Sequence, residues 1–201
     1  CPSIFGRSFK NVKNIKSPRW LVNRLLAVGL RPISSIVDVT NYVMMDIGRP
    51  LHAYDAKKIN GNTLTVRISK KGEKFHALNG KTYDLDDSML VICDEKGVDD
   101  LAGIMGGSRT GVNENTTEFF LEAAIFCPIS IAKTGRHLNI NSDARYRFER
   151  GLDFNSPEVG ITYASILINE ICGGSCSNLV SITQKKINNE IIFDFKIIKK
   201  L

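Results

Sequence analysis

Eight consecutive residues, Phe119 to Phe126, are apolar except for one carboxylate, and this segment constrains the fold more than any other. Its aromatic and aliphatic side chains favour a strand that is buried in a sheet. Glu122 lies inside that run, and a carboxylate is costly to bury unless a donor binds it. A side chain that points to solvent, or an ion pair with an arginine, explains the same pattern. The other interpretation is a ligand hydroxyl, which would make Glu122 a substrate-binding residue.

Composition is typical of a globular chain and leaves room for one large domain or two small ones. The 201 residues are 43% hydrophobic and 24% charged, which are ordinary values. No stretch has the length of a membrane span, so we expect no membrane partner. Since the sequence begins with Cys1 rather than Met, we expect a piece of a longer protein.

Charge and cysteine usage narrow the function classes. The net charge of +6 favours an anionic partner such as RNA, although a solvated lysine-rich surface gives the same value. The five cysteines are scattered and odd in number, which indicates a reducing compartment rather than a disulfide framework. Cys172 and Cys176 are close in sequence, but no further ligands stand at the spacing of a zinc site.

Helix signals lie on both sides of a strand-rich middle. Ser17 and Pro18 predict the N-cap and the first position of a helix that Gly29 ends. Residues 36–45 predict a second helix, which Gly48 ends. The other predicted helices span residues 129–137, 142–150 and 157–172.

Strand signals dominate the middle of the chain. Residues 63–68 alternate with a two-residue period, and residues 89–93 are typical of a buried strand. The pair Asn79-Gly80 predicts a hairpin with a two-residue loop. We therefore predict a mixed α and β fold, with a strand-rich, antiparallel, sandwich-like core flanked by helices and no doubly wound parallel sheet.

Three short motifs offer binding groups, and each has a plainer explanation. The glycines from Gly103 to Gly107 let the backbone approach either a ligand or another strand closely. Thr40 and Asn41 either bind a substrate, or Thr40 bonds a helix carbonyl while Asn41 faces water. His52 is predicted on a loop after a helix, where it is either functional or an ordinary loop histidine.

Residues 141–151 interleave arginines with aromatic side chains. Ser142 is predicted to cap the helix that follows, and Arg145 and Glu149 are spaced to pair on one helix face. This pattern suits contact with RNA backbone and bases. A solvated amphipathic helix explains the same residues.

Five blocks, in this order, resemble the central region of the bacterial phenylalanyl-tRNA synthetase β subunit. They are residues 36–44, 49–55, 101–107, 120–124 and 144–151. The resemblance covers about residues 1–180 and implies that these form the editing region of such a subunit. Residues 181–201 would then be the start of the following domain or a truncated tail.

In that family, the region hydrolyses tyrosine wrongly esterified to phenylalanine tRNA, and the resemblance implies the same activity here. It implies catalytic roles for His52 and Thr40, which would position the attacking water. Ser142 stands where many members have Thr, and Tyr54 replaces a frequent Phe. The substrate-binding residues that the resemblance implies are Glu122, Asn41, Gly103, Gly106, Gly107, Ser142 and Ala144.

The resemblance also implies partners and a location. These are phenylalanine tRNA, the synthetase α subunit in a heterotetramer of two α and two β subunits, free tyrosine as a pocket ligand, and the cytoplasm. We expect no cofactor and no metal in this segment, because ATP and magnesium serve the α subunit of the full enzyme. Two alternatives remain: a structural, tRNA-binding module with a weak or inactive pocket, and a free-standing editing protein.

Overall fold

The computed structural model describes residues 1–184. Its α-helices in this range are α1 (Arg19–Ala27), α2 (Ser35–Ile47), α3 (Pro128–His137), α4 (Asp143–Phe148) and α5 (Ser156–Cys172). Its strands are β1 (Ser3–Lys10), β2 (His52–Asp55), β3 (Thr65–Ile68), β4 (Lys74–His76), β5 (Thr82–Asp84), β6 (Leu90–Asp94), β7 (Gly97–Leu101), β8 (Met105–Gly106), β9 (Glu118–Ile125), β10 (Ser175–Cys176) and β11 (Val180–Thr183).

Two antiparallel sheets organise these elements. The first sheet has the order β10-β1-β9-β2, and β11 also pairs with β1. The second sheet has the order β3-β6-β7-β8, and β4 and β5 form a separate hairpin. Helices and antiparallel sheets together confirm the predicted mixed fold.

The first sheet separates two hydrophobic cores. Because successive strand side chains point to opposite faces, Phe119 and Leu121 of β9 join α1, α2 and α5 in the first core. Phe120 and Ala124 face the other way and join the second sheet, the hairpin, α3 and α4 in the second core. Glu122 shares the face of Phe120 and Ala124, so it points into the space between the two sheets.

Glycines end two of the predicted helices where the sequence places them. Gly48 has a φ of 71° after α2, and Gly173 has a φ of 65° after α5. A residue without Cβ adopts a positive φ at little cost. At the start of α1 the prediction was wrong by one residue. Ser17 donates a hydrogen bond to Asp38 Oδ2 at 2.5 Å, and Pro18 occupies the N-cap position.

The hairpin forms where Asn79-Gly80 predicts it, but its loop has three residues instead of two. The register pairs His76 with Thr82, and the Ala77 amide donates to the Lys81 carbonyl at 2.9 Å. Residues 78–80 therefore form the loop, with Gly80 at a φ of 78°. A three-residue loop that ends in a left-handed glycine is the common alternative to the two-residue turn.

The end of the described chain belongs to the first sheet, because β11 pairs with residues 3–6 of β1. From residue 185 onward, the predicted domain start or tail lies outside the described residues. No helix in the described part is both long and apolar enough to cross a membrane.

Candidate active site

Strand pairing determines the surroundings of Glu122. On β9, Glu122 lies opposite His52 of β2 on one side and Gly6 of β1 on the other. The prediction of a loop at His52 was wrong, because residues 52–55 form an edge strand of the first sheet. A Cβ atom at Gly6 would overlap the Phe120 ring, so glycine lets this ring cover β1 beside the carboxylate.

Glu122 lines a cavity of about 120 Å³ between the two sheets. This volume is close to that of an engineered protein cavity of about 150 Å³ that binds benzene. Its apolar walls are Pro50, Leu51, Ile104, Met105, Phe126, Ala144 and Phe148. A larger cavity of about 700 Å³ lies toward β1 and β3, and Glu122 lines that one as well.

The Glu122 carboxylate is largely buried and makes no hydrogen bond to the described residues. Glu122 as a whole is only 5% exposed to solvent. Burial raises its pKa to about 7, and the positive charge of Arg49 opposes this rise. Within residues 1–184, no protein donor hydrogen-bonds to this carboxylate and no cation pairs with it. A buried acceptor of this kind gains most from a ligand that brings its own donor.

His52 is a neutral base at the same cavity. Burial lowers the pKa of its imidazole to about 4, so the ring carries no charge near neutral pH. Its Nε2 atom is buried and has no hydrogen-bond partner in the described part of the chain. The ring also packs edge-on against Tyr54, with 4.3 Å between centroids. A neutral imidazole has one N–H and one unprotonated nitrogen, so in the tautomer with its proton on Nδ1 the Nε2 atom accepts a hydrogen bond from water or substrate.

Asp100 is the site residue that sequence reasoning missed. It lies on β7 of the second sheet, is 5% exposed, and lines the cavity with Glu122. Its Oδ2 lies 3.6 Å from His52 Nε2. Burial, reinforced by the charges of Glu122 and Asp99, raises the pKa of Asp100 well above its usual range. The available signal was the acidic pair Asp99-Asp100 directly before the glycine segment.

The glycine segment provides both a cavity wall and close strand contacts. Gly103, at a φ of 69°, and Gly106 line the cavity. A Cβ atom at Gly106 would overlap the His52 ring. Gly107 does not line this cavity, and its amide donates to the Asp99 carbonyl at 2.7 Å. At Gly107 the close neighbour is therefore another strand, as one of the two interpretations held.

Helix α4 closes the cavity from outside the sheets. Ser142 caps it as predicted, because its Oγ accepts a hydrogen bond from the Arg145 amide at 3.0 Å. The same hydroxyl donates to the Ile104 carbonyl at 2.6 Å. Ser142 thus holds the helix to the glycine segment, and Ala144 of the first turn lines the cavity. The predicted pair of Arg145 and Glu149 is present at 3.0 Å.

Thr40 and Asn41 lie apart from these groups. Both are on α2, and neither is among the residues that line the cavity. The Thr40 hydroxyl donates to the Val37 carbonyl at 2.8 Å, which is the helix bond that the plainer interpretation gave it. The site that the structure assembles therefore consists of His52, Asp100, Glu122, part of the glycine segment and the start of α4.

Comparison with known families agrees with this arrangement. The family model described as the B3/4 domain matches residues 1–173. The chain belongs to the B3/4 domain family. The match covers every element from β1 to α5, and therefore the complete cavity of this B3/4 domain.

This B3/4 domain is similar to a segment of longer proteins. It is 48% identical over 202 residues to the phenylalanine–tRNA ligase beta subunit of Nitrobacter winogradskyi, which covers 100% of this chain and 25% of the relative. With the beta subunit of Bradyrhizobium diazoefficiens, the identity is 49% over 98% of this chain and 24% of the relative. The chain thus spans about a quarter of the length of the curated relatives it matches.

A solved structure shares the fold of this B3/4 domain. It is an N-terminal fragment of the phenylalanyl-tRNA synthetase beta-subunit from Pyrococcus horikoshii, with a TM-score of 0.53 and 12% sequence identity. The similarity covers 87% of this chain and 46% of that fragment. At 12% sequence identity, this similarity concerns only the fold.

Proposed function

We propose that this chain carries an editing site that hydrolyses tyrosine wrongly esterified to phenylalanine tRNA. The observation that supports this most is the buried Glu122 carboxylate, which lines a ring-sized cavity and has no protein donor among the described residues. Tyrosine brings a phenolic donor to that acceptor, and phenylalanine does not. The similarity to beta subunits of phenylalanine–tRNA ligase makes phenylalanine tRNA the expected carrier.

The selectivity follows from the cost of an unpaired buried acceptor. When the phenylalanine ring enters, Glu122 loses its contact with water and gains no donor. A site that is built to bind a hydroxyl can reject the analogue without it by ~10⁴–10⁵, which is about 5–7 kcal/mol. The synthetic site of such an enzyme meets the opposite problem, because it excludes an added hydroxyl poorly. A second site with the opposite preference corrects the resulting errors.

Hydrolysis requires a positioned water molecule. In our proposal the neutral His52 ring holds that water through Nε2, which has no other partner in the described structure. The water oxygen attacks the ester carbonyl carbon, the bond to the ribose oxygen breaks, and the ribose oxygen takes a proton. Correct placement of water and ester alone is worth several kcal/mol. Backbone groups at Gly103 and Gly106 would hold the aminoacyl end.

Roles for the remaining predicted residues stay predictions. Ser142 would support the cavity wall, and Ala144 would form the part of it near the aromatic ring of the substrate. The predicted role of Thr40 is to position the attacking water with His52, and that of Asn41 is to hold the aminoacyl end, although neither residue lines the cavity. Gly107 would act through the strand contact that holds the glycine segment in place.

The partners of the full protein belong to the same proposal. We infer an α subunit in a heterotetramer of two α and two β subunits, a cytoplasmic location, and ATP and magnesium at the α subunit. Free tyrosine would bind the cavity as a product. This chain supplies the editing site and no aminoacylation chemistry.

The test is deacylation by the intact ligase that carries Glu122→Met. Methionine has nearly the shape of glutamate but offers no acceptor of comparable strength. We expect the preference for tyrosyl-tRNA over phenylalanyl-tRNA, both charged on phenylalanine tRNA, to fall by at least ~10-fold and at most ~10⁵-fold, because the ring without a hydroxyl no longer leaves a buried acceptor unpaired. The rates are measured by release of radiolabelled amino acid.

Glu118→Met is the matched control for this test. Glu118 starts the same strand and does not line the cavity, so its replacement leaves the preference intact. An unchanged preference in Glu122→Met would remove the assigned role of the carboxylate.

A tRNA-binding module with a weak pocket is the second candidate. The observation that favours it is Tyr146, which is 57% exposed on α4 with the Arg150 guanidinium 3.7 Å from its ring centroid. An exposed aromatic ring beside an arginine is typical of surfaces that contact RNA bases. This candidate predicts that Tyr146→Ala weakens tRNA binding while wild-type enzyme releases no tyrosine.

A further inference from the structure

Two carboxyl groups face the small cavity from opposite sheets. Glu122 enters from β9 of the first sheet, and Asp100 enters from β7 of the second. Each residue is 5% exposed, and each lines the cavity. Among the described residues, Asp100 lies near one basic nitrogen, His52 Nε2 at 3.6 Å, which is beyond hydrogen-bonding distance.

No residue that lines the cavity carries a positive charge near neutral pH, since lysine and arginine are absent from its walls and His52 is neutral. The nearby arginines are occupied elsewhere. Arg49 donates to the carbonyls of Pro50 and Ala124 and to Ser156 Oγ. Arg109 pairs with Asp94 at 2.7 Å and with Asp99 at 2.6 Å. Asp100 therefore has no cationic partner within the described residues.

We propose that Asp100 binds the α-ammonium group of an esterified amino acid, and that the cavity thereby selects aminoacyl esters over free amino acids. This inference rests on the proposed editing function and names the part of the substrate that Asp100 recognises. An aminoacyl ester has an ammonium group and no carboxylate. It supplies the one charge that the cavity lacks, and a buried carboxylate is stabilised strongly when a cation is placed beside it.

A free amino acid brings a carboxylate into the same space. That group meets Asp100 and Glu122 in surroundings where like charges repel much more strongly than in water. The product of hydrolysis is such a free amino acid, so the same two residues bind the product less tightly than the ester.

Our proposal gives the two carboxyls different parts of the substrate. Glu122 recognises the phenol, which distinguishes tyrosine from phenylalanine. Asp100 recognises the amine, which tyrosine and phenylalanine share. Loss of Asp100 therefore weakens both substrates equally, whereas loss of Glu122 changes the ratio between them.

The experiment uses intact ligase and two tRNA esters that differ only in the amine. One is tyrosyl-tRNA, and the other carries 3-(4-hydroxyphenyl)propionate, which is tyrosine without its amino group. We expect wild-type enzyme to hydrolyse tyrosyl-tRNA roughly 10- to 100-fold faster, as a hydrogen bond between charged groups predicts. In Asp100→Asn this ratio falls toward one, while the preference for tyrosyl-tRNA over phenylalanyl-tRNA is retained.

A second measurement needs no variant and so does not depend on how Asp100→Asn folds. Tyrosinamide, which lacks the carboxylate, is compared with free tyrosine as an inhibitor of wild-type deacylation. We expect tyrosinamide to inhibit at concentrations at least ~10-fold lower. Equal inhibition, or equal hydrolysis of the two esters by wild-type enzyme, overturns the role of Asp100 and leaves the editing function standing. No hydrolysis of tyrosyl-tRNA by wild-type enzyme overturns both.

Discussion

At the scale of single residues, Glu122 couples the stability of the fold to pH. The pKa of this carboxyl is about 7 in the folded chain, against an ordinary value of 4.5. Between these values the folded state keeps a proton that the unfolded state has lost, so the unfolding free energy falls as pH rises. The full loss is reached above pH 7 and amounts to roughly 3 kcal/mol.

Glu122→Gln removes this dependence, because glutamine does not titrate. We expect the variant to be more stable than wild type at pH 8 and to lose the difference at pH 4. The measurement is urea denaturation followed by circular dichroism across this pH range. Asp86→Asn, at a partly exposed carboxyl whose pKa is lowered by hydrogen bonds from Ser88, is the contrasting control, because a lowered pKa gives a pH dependence of the opposite sign. Parallel stability curves for wild type and Glu122→Gln would show that the buried carboxyl does not titrate in this range.

The same two carboxyls show what sequence can reveal about a site. Glu122 was recognisable because its apolar neighbours require an explanation for one charge. Asp100 stands next to Asp99 in a segment with no such contrast, and adjacent acids are typical of a solvated turn. Only the pairing of β7 with β6 and β8 turns Asp100 toward the cavity. Long-range pairing is the information that local patterns lack.

At the scale of elements, the contact between α4 and the glycine segment depends on Ser142. Its hydroxyl accepts from the Arg145 amide and donates to the Ile104 carbonyl. Ser142→Ala removes both bonds, so we expect a loss of about 1–2 kcal/mol of unfolding free energy. Because α4 forms a cavity wall, we also expect slower deacylation by the intact ligase.

Ser142→Thr is the informative partner of this variant. Threonine keeps the hydroxyl and retains both bonds, so its stability lies within about 0.5 kcal/mol of wild type, as expected for a conservative cap. Equal destabilisation by alanine and threonine would point to steric packing rather than to the hydrogen bonds. Denaturant unfolding of the chain separates these outcomes.

Local patterns predicted long elements better than short ones. The helices α2 and α5 and the strand β9 carry their own periodicity and their own end signals. The four-residue strand β2 has neither, and its pairing with β9 is what makes it a strand. Ser17 illustrates the same limit, since a serine directly before a proline is a common N-cap residue. The competing acceptor on Asp38, 21 residues away, takes its hydroxyl instead.

At the scale of the whole molecule, Arg49 connects the two hydrophobic cores. It is fully buried after α2 and donates to Ala124 on β9 and to Ser156 at the start of α5. Its guanidinium also lies 5.2 Å from the ring centroid of Phe148, which belongs to the second core and to the cavity wall. One side chain therefore joins elements from both sides of the first sheet.

Arg49 also influences the site through its charge, because that charge opposes the rise in the pKa of Glu122. Two variants separate the charge from the hydrogen bonds. Arg49→Met removes both, so we expect a loss of roughly 2–5 kcal/mol from the acceptors left unpaired and a pKa of Glu122 above 7. Arg49→Lys keeps the charge but cannot make the several hydrogen bonds of the guanidinium group. We therefore expect stability to fall while the pKa of Glu122 stays near 7.

Carbon NMR of the Glu122 carboxyl during a pH titration reports the pKa, and urea unfolding reports the stability. The ion pair of Arg67 and Glu73 is the control. Arg67 Nη2 lies 2.6 Å from Glu73 Oε1, but both side chains are partly exposed to solvent. Arg67→Met should cost at most about 1 kcal/mol and leave Glu122 unchanged. If methionine and lysine at position 49 gave the same pKa, the influence of Arg49 on the site would be through packing alone. A difference between them would mean that a residue outside the cavity sets the charge with which Glu122 meets its ligand.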